Sequence, residues 1–397
     1  MNIDREQFIR DGFLIIRNCV PPEQLDQLRN SFEVLVERQK AIWASDRAPD
    51  DPPGGAWEIS GQPRLSGYER LIDAATADTV EICLHENTMG VCKQLMRAAD
   101  AGAQNKMFMC SPVSDHGPAS WHRDIHPVDQ APLRGLQMDL LENAPGYLQW
   151  NIPLYDDSVL WVVPGSHRRG NTEAENSQLS EDSRVPLPNS IPVEMNAGDG
   201  VVYTNTIFHW GSNYSTKLRR TIHLGYRAFG GPIFPYVCHF HRDLDFTRHL
   251  SPGARAVFER QAQLYLEECD VMESTFRAII DKNADAFLEG LAVLHPGELR
   301  RIVCLILVSK VAYKMRFASH PARAAFGSDI SQDRDLKPRF SPAEIETLWK
   351  RFSTLDEAIQ SHKEEFIPGF QSGPMRYSFE EMPTNFDVED FIASWNA

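Results

Sequence analysis

The stretch from about residue 104 to residue 228 consists of short apolar or alternating segments separated by glycine, proline, asparagine and aspartate. The segments KMFMC, YLQWNIPLY, VLWVVPGS, GVVYTN and TIHLGYRAF have the length and residue types of strands. Several short strands joined by turns predict an antiparallel sandwich or barrel. This stretch therefore determines the fold class to be expected.

Helical patterns flank the strands. Residues 13–17, FLIIR, suit a strand, and apolar residues recur at helical spacing in PPEQLDQLRNSFEVLVERQ directly after it. Residues 46–67 contain APDDPPGG and lack periodicity, which predicts a mobile surface loop of the kind that carries substrate contacts or acts as a lid. After residue 252 the periodicity is helical again, and the apolar stretch Ile302 to Val311 is too short for a membrane span and predicts a buried helix.

Charge and cysteine content narrow the function class. Forty Lys and Arg against fifty-five Asp and Glu give a formal charge of -15, which disfavours nucleic acid and anionic membranes as partners. The first residues contain no apolar signal segment. The seven cysteines are scattered without a CxxC pair, so we expect reduced thiols and a cytoplasmic protein.

A possible metal site begins with SWHRDIHP, residues 120–127. His122 and Asp124 are two positions apart, and on a strand they point to the same face. His-x-Asp alone is weak evidence, because about one chance occurrence is expected from the composition. The chain contains a second one at residues 241–243, and a surface loop is the alternative interpretation of either pair.

A third potential ligand changes this balance. His209 lies at the predicted end of a strand in AGDGVVYTNTIFHWGSNYSTKLRRTIHLGYR. Two histidines and a carboxylate on one face leave three octahedral positions of Fe(II) open, as in non-haem iron oxygenases. Arg219 and Arg220 open the next strand, where a guanidinium offers a bidentate fork for the distal carboxylate of 2-oxoglutarate. Alternation along the strand lets only one of the two face inward.

The ordered set of motifs resembles the phytanoyl-CoA dioxygenase-like (PhyH-like) family of Fe(II)/2-oxoglutarate oxygenases. The resemblance runs from DGFLIIRNCVPPEQLDQLR through WHRD, VVPGSH and a GD pair to FHWGSNYSTKLRR, covering roughly residues 5 to 228. It implies that His122, Asp124 and His209 are the catalytic iron ligands. It also implies that Arg220, eleven positions after the last histidine, binds 2-oxoglutarate.

The resemblance also implies a fold and a reaction. We expect an α+β chain whose core is a double-stranded β-helix (jelly roll, cupin-like), with flanking helices and an extra C-terminal helical region. The expected domains are residues 1–250 for the oxygenase and residues 251–397 for the α-helical region. The implied reaction uses Fe(II), 2-oxoglutarate and O2 to hydroxylate a small organic substrate, such as a natural product or metabolite, with release of succinate and CO2.

Several polar residues near these motifs have two interpretations. Gln149 and Asn151 alternate with Trp150 and are predicted either to hydrogen-bond the co-substrate or substrate or to form an outward polar face. Asn205 shares strand parity with His209, which suggests that it supports a ligand. His126 is interpreted as a loop histidine rather than a fourth ligand.

The VVPGSH segment is interpreted as a structural turn, with a smaller chance that His167 touches substrate. Arg123 stands where relatives commonly carry Gln, and we expect it to alter the charge around the metal. Trp43, Trp57, Tyr68, Trp121 and Trp150 are candidates for an apolar pocket or, alternatively, for core packing.

Three alternative functions remain at this level. The same fold supports other oxidative outcomes, namely desaturation, cyclisation and epimerisation. The three ligands also suit zinc in a hydrolase, although Arg220 then lacks a purpose. A non-catalytic jelly-roll binding module, whose helical region mediates assembly, is the third.

Overall fold

A computed structural model of the chain describes residues 3–127, 130–230, 244–295, 301–317 and 332–396. The helices are α1 Arg5–Asp11, α2 Pro22–Ser45, α3 Ala56–Ile59, α4 Asp78–Glu81, α5 Val91–Met96, α6 Leu133–Glu142, α7 Glu173–Glu181, α8 Pro252–Asp281, α9 Ala284–Leu294, α10 Arg301–Arg316, α11 Asp333–Leu336, α12 Pro342–Ala358 and α13 Val388–Ser394. The strands are β1 Phe13–Ile16, β2 Arg64–Ser66, β3 Asp100–Cys110, β4 Gly117–Pro118, β5 Tyr147–Pro153, β6 Trp161–Val162, β7 Ile191–Pro192, β8 Gly200–Tyr203, β9 His209–Trp210, β10 Ser212–Asn213, β11 Arg220–Phe229, β12 Gln360–Glu365 and β13 Met375–Tyr377.

Two antiparallel sheets form the predicted jelly roll. The larger sheet has the order β1-β8-β5-β11-β3-β2, and the smaller one has the order β7-β6-β9. His122 extends the smaller sheet through an antiparallel bridge to His209 of β9. The expected double-stranded β-helix with flanking helices is confirmed.

Strand β5 shows how the larger sheet separates its two faces. Leu148, Trp150 and Ile152 are fully buried in the hydrophobic core on the helix-covered face. Gln149 and Asn151 point to the opposite face because side chains alternate along a strand. The helices cover the apolar face, so the polar side chains point into the jelly roll and not outward.

Helix α2 supplies much of that cover. Pro22 occupies its first turn, where a missing N–H costs nothing. Leu28, Phe32, Leu35 and Val36 form its buried stripe, as the spacing predicts, and Phe32 stacks on Phe108 of β3 with ring centroids 4.0 Å apart. Each such buried side chain contributes roughly 1.5–3 kcal/mol of hydrophobic stabilisation.

A second hydrophobic core lies among the C-terminal helices. Helices α8, α9, α10, α12 and α13 contribute its side chains, and residues Val303 to Val308 of α10 are buried without interruption. The predicted buried helix over Ile302 to Val311 is therefore confirmed. Ala254 and Phe258, in the first turns of α8, pack instead on the jelly-roll core. The domain division at residue 250 stays a prediction.

Between β12 and β13 the chain returns to the jelly roll. Residues 368–372, named here the C-terminal strap, lie against the backbone of the segment that contains His122 and Asp124. The Gly369 carbonyl accepts a 2.7 Å hydrogen bond from the Arg123 N–H. The strap thus borders the predicted metal site.

The cysteines and the apolar helices are the other features predicted from composition. The six cysteines that the structure describes are free and buried, whereas Cys238 lies outside the described residues. Among the described helices, none combines the length and the apolar character needed to cross a bilayer.

Candidate metal centre

The three predicted ligands lie together between the two sheets. Their ligand atoms are all within 4.8 Å of one another. His122 Nε2 is 3.5 Å from Asp124 Oδ1, and His209 Nε2 is 3.4 Å from Asp124 Oδ2. Two neighbouring ligands about 2.1 Å from one ion lie about 3 Å apart, so the cluster needs only a small contraction to hold a cation.

Backbone pairing brings these side chains together. The N–H of each histidine, 122 and 209, donates a 3.0 Å hydrogen bond to the carbonyl of the other. Directly paired residues of antiparallel strands carry their side chains on the same face. Asp124, two residues after His122, returns to that face. The site is therefore a product of strand register.

Both imidazoles are oriented by a carbonyl group. His122 Nδ1 lies 2.8 Å from the Ser120 carbonyl oxygen, and His209 Nδ1 lies 3.1 Å from that of Ile207. A carbonyl can only accept, so each Nδ1 donates there, which leaves Nε2 of the neutral ring for a cation. Such outer contacts fix the tautomer and ring orientation of metal-binding histidines.

Polar contacts also hold the aspartate. Gln149 Nε2 donates a 2.6 Å hydrogen bond to Asp124 Oδ2, and Gln371 Nε2 of the strap donates to Oδ1. Asn205 accepts from the Asp124 N–H at 2.9 Å and donates its side-chain amide to the Asp124 carbonyl at 3.2 Å. The predicted supporting role of Asn205 is thus observed as a direct contact with the ligand residue.

The electrostatics favour a divalent cation. Burial, reinforced by His209, lowers the pKa of His122 to about 4, so this imidazole is neutral near pH 7. Burial also lowers the pKa of His209, but the adjacent Asp124 outweighs it and the net pKa is raised. Burial disfavours the ionised Asp124, yet the two imidazoles and Gln149 hold the pKa of that carboxyl below its usual range. The ionised carboxylate supplies the negative charge that a cation requires.

A cavity of about 360 Å³ opens beside the ligands. Its walls include Gln149 and Asn151 from β5, His223 from β11 and Arg219 from the residue before β11. Met107, Met109, Leu160 and Tyr203 add apolar surface. The cavity thus combines convergent polar groups with apolar walls, as small-molecule sites do.

The structure does not bring Arg220 to this cavity. Its Nε lies 2.6 Å from Glu33 Oε1 of α2, and it shares strand parity with Ile222 and Leu224, which face the helix-covered core. Arg219 lines the cavity in its place. The eleven-residue offset therefore selects a residue that lies outside the cavity, and parity with the apolar residues of β11 is the sequence signal that points to Arg219 as the cavity residue.

Arg219 is suited to an anionic partner. Its side chain is buried, and its Nε has no hydrogen-bond partner within the described part of the protein. It forms an ion pair with Asp157, whose Oδ2 lies 3.6 Å from that Nε, beyond hydrogen-bond distance. A buried guanidinium with spare donor capacity favours binding of a carboxylate.

Gln149 and Asn151 both line the cavity, as one of their two interpretations predicts. Gln149 Oε1 is buried without a hydrogen-bond partner in the described residues, and Asn151 Oδ1 lies 2.8 Å from His223 Nδ1. Burial lowers the pKa of His223 to about 4, which keeps this imidazole neutral. Contact of Gln149 or Asn151 with a bound cofactor stays a prediction.

Arg123 lies outside the ligand cluster but close enough to influence it. Its guanidinium is fully buried and donates to the carbonyls of Ser166, at 2.8 Å, and Thr206. It also lies 3.9 Å from the centroid of the Phe208 ring. Strand alternation turns Arg123 away from the face that carries His122 and Asp124, so its guanidinium supports the turn at Ser166, while its positive charge still acts to lower the pKa of His209.

The remaining candidates have structural positions. His167 is buried, with Nε2 2.9 Å from the Ile9 carbonyl oxygen, and Ser166 Oγ accepts a 2.9 Å hydrogen bond from the Phe208 N–H, so VVPGSH is a structural turn. His126 lies outside the ligand cluster. The second His-x-Asp pair, residues 241–243, lies outside the described residues.

The aromatic candidates Trp43, Trp57, Tyr68, Trp121 and Trp150 are absent from the walls of the cavity. Tyr68, Trp121 and Trp150 are buried in the hydrophobic clusters.

Sequence reasoning missed further residues of the site, among them His223, Tyr203, Arg64 and Gln371. His223 and Tyr203 lie an even number of positions from other cavity residues on their strands, and this alternation is a usable sequence signal. Arg64 lies in the predicted contact-bearing loop, and Gln62 of the same loop also lines the cavity. Gln371 carries no local signal at all.

A sequence model described as phytanoyl-CoA dioxygenase (PhyH) matches residues 8–222. The chain belongs to this family. Its members are Fe(II)- and 2-oxoglutarate-dependent oxygenases that use O2. The match ends before the C-terminal helices and the strap.

Individual relatives are distant. Dioxygenase olcK of Penicillium canescens is 24% identical over 215 residues, which span 53% of this chain and 65% of the relative, less than two thirds of its length. Among solved structures, AviO1 from Streptomyces viridochromogenes is 21% identical over 59% of this chain and 100% of that chain, with a TM-score of 0.41. EctD from S. alaskensis, solved with 2-oxoglutarate and 5-hydroxyectoine, is 14% identical over 58% of this chain and 77% of that chain, also at 0.41. The assignment rests on the family match.

The residues present fit the family's metal and co-substrate. Two imidazole nitrogens and one carboxylate on a single face are the donor set that Fe(II) oxygenases use. Arg219 Nε and Gln149 Oε1 in the adjoining cavity are buried and make no hydrogen bond within the described residues, so they mark places for a polar ligand. A dicarboxylate bound next to the ion would satisfy the guanidinium.

Proposed function

We propose that the protein hydroxylates a small organic substrate, with His122, Asp124 and His209 as the iron ligands. The convergence of these three ligand atoms within 4.8 Å carries the proposal. When bound, Fe(II) with 2-oxoglutarate and O2 supplies the oxidising power, and 2-oxoglutarate leaves as succinate and CO2. The protein contributes binding, orientation and exclusion of water.

Arg219 is the proposed partner of the distal carboxylate of 2-oxoglutarate. It is buried, it lines the cavity and its Nε is available for a hydrogen bond, whereas Arg220 is engaged by Glu33. Gln149, Asn151 and His223 lie on the same wall as hydrogen-bonding groups for the co-substrate or the substrate. The apolar surface of Met107, Met109 and Leu160 remains for a carbon skeleton.

The test is 2-oxoglutarate turnover with Fe(II) and O2, measured as succinate, for wild type, His122→Ala, Arg219→Ala and Arg220→Ala. We expect loss of turnover in His122→Ala and a raised KM for 2-oxoglutarate in Arg219→Ala but not in the matched control Arg220→Ala. Full turnover by His122→Ala contradicts the ligand assignment.

The reaction outcome needs its own measurement. Hydroxylation adds one oxygen atom from O2 to the substrate, whereas desaturation or cyclisation removes two hydrogen atoms and epimerisation leaves the composition unchanged. Substrates found by stimulated O2 uptake are therefore examined by mass spectrometry under isotopically labelled O2. Products without labelled oxygen contradict hydroxylation while leaving the oxygenase class intact.

A further inference from the structure

The C-terminal strap is bound to the ligand-bearing segment by backbone contacts. The Arg123 N–H donates to the Gly369 carbonyl at 2.7 Å, and Arg123 forms a parallel bridge with Phe370. Asn171 Nδ2 donates to the Pro368 carbonyl at 2.8 Å. His122, the residue before Arg123, pairs with His209 of β9. The segment that carries His122 and Asp124 therefore lies between β9 and the strap.

Two side-chain features fix the strap in place. Gly369 has a φ of +82°, and a Cβ there would lie 2.4 Å from Phe208 Cε1, so only glycine fits without displacement. Phe370 is buried in a cluster with Ile125, Leu133 and Phe379. The residue that follows, Gln371, is thereby placed at the metal site.

Gln371 contacts an iron ligand directly. Its Nε2 donates to Asp124 Oδ1, the oxygen that faces His122, while Gln149 Nε2 donates to Oδ2, the oxygen that faces His209. One amide on each oxygen fixes the plane of the carboxylate. Such contacts to a metal-binding carboxylate orient it before the ion arrives.

We propose that Gln371 is a positioning residue for Asp124, so that the C-terminal region, outside the span matched by the family, completes the metal centre. This inference rests on the proposed function, because it assumes that Asp124 binds iron. Gln371 also lines the cavity, so the strap sets one rim of the space next to the ion.

The first test replaces the amide without changing the length of the side chain. Gln371→Met removes the donor, and Gln360→Met is the matched control, since the Gln360 amide donates to Asp356 Oδ2 at 2.7 Å in the same C-terminal region. Calorimetry with Ni(II) as an O2-inert probe measures the Kd of each full-length variant. We expect Gln371→Met to bind about 10- to 100-fold more weakly than wild type, and Gln360→Met to match wild type.

The second test moves the strap as a whole. Gly369→Ala introduces the clash with Phe208, whereas a Cβ at Gly373 meets nothing within 4 Å and makes Gly373→Ala the control. We expect Gly369→Ala to lose Ni(II) affinity at least as much as Gln371→Met. We also expect the visible absorption band of the anaerobic Fe(II)–2-oxoglutarate complex to shift in Gly369→Ala and Gln371→Met but not in the two controls.

The outcomes separate the two proposals. Wild-type Kd and an unshifted band in Gln371→Met would overturn the positioning role while leaving the proposed function intact. Failure of the wild-type protein to bind Ni(II) or to form the band would overturn both, because Asp124 would then have no ion to receive.

Discussion

The two amides that hold Asp124 come from contrasting regions of the molecule. Gln149 lies on β5, inside the span matched by the family, and its side chain is buried. Gln371 lies on the strap, outside that span, and is exposed at the rim of the cavity. Similar chemical contacts therefore reach the same carboxylate from the sheet interior and from a peripheral segment.

Gln149 and Gln371 differ in what holds each amide in place and in whether water can replace it after a substitution. Strand register fixes Gln149 opposite Gly225 and Tyr203, and its side chain is buried. Docking of the strap fixes Gln371, and water can substitute for an exposed donor. When a donor is lost from a buried position, the charged acceptor keeps the full cost of desolvation. When a donor is lost from an exposed position, water offsets part of that cost. The interior contact should therefore be the stronger one.

The largest effect should come from the ligand that both amides serve. Asp124→Ala removes the negative charge and one of three donors, and we expect 2-oxoglutarate turnover to fall by a factor on the order of a thousand, since a metal contributes several kcal/mol to catalysis. Asp156→Ala, at an exposed carboxylate that accepts from Ala197 N–H, is the control. Succinate release measures both variants, and substantial turnover by Asp124→Ala would remove the basis of the comparison.

A smaller effect should separate the two neighbouring arginines. Arg219→Ala leaves a bound dicarboxylate without its buried partner, which costs about 2–5 kcal/mol, so we expect KM for 2-oxoglutarate to rise on the order of a hundred-fold. Arg220→Ala removes the ion pair with Glu33 and should leave KM unchanged. Initial rates against 2-oxoglutarate concentration decide between them. A larger rise in KM for Arg220→Ala than for Arg219→Ala would instead support Arg220, the residue that the eleven-residue offset selects.

Acid should lower the stability of the jelly roll, the region that carries Gln149. Burial lowers the pKa of His167 from 6.5 to about 4, despite its hydrogen bond to the Ile9 carbonyl, with Arg168 and Arg123 adding to the shift and Asp11 opposing it. The unfolded chain then binds the proton first, so stability is lost as pH falls from 6.5 towards 4. Between pH 6.5 and about pH 5 this single group should remove about 2 kcal/mol from the free energy of unfolding.

The check is urea unfolding of metal-free wild type and His167→Gln at both pH values. The variant should lose less stability on acidification than wild type. Equal losses in the two proteins would show that His167 is not the acid-sensitive group.

The smallest effect tests the comparison itself. We expect Gln149→Met to lower Ni(II) affinity more than Gln371→Met, both within the roughly 10- to 100-fold range typical of residues that orient a ligand. Because both amides hold one carboxylate, the double variant should lose less than the product of the two single losses. Calorimetric Kd values provide the comparison. A larger loss in Gln371→Met would make the strap the dominant support.

Much of this protein was readable from local sequence. The length and spacing of the apolar segments predict the strands, and the stripe of α2 predicts its buried face. The positions of His122, Asp124 and His209 predict the metal site because strand alternation converts a two-residue spacing into a shared face. These features depend on neighbours in sequence or on a regular repeat.

Tertiary structure decided the rest. Whether Gln149 and Asn151 face inward depends on which face of β5 the helices cover. The choice between Arg219 and Arg220 depends on which face of β11 the helices cover, since Arg220 shares that face with Ile222 and Leu224. The contact between Gln371 and Asp124 spans 247 residues of sequence, and it exists only because Gly369 and Phe370 dock the strap. A local pattern cannot encode a contact whose geometry is set by the packing of two distant segments.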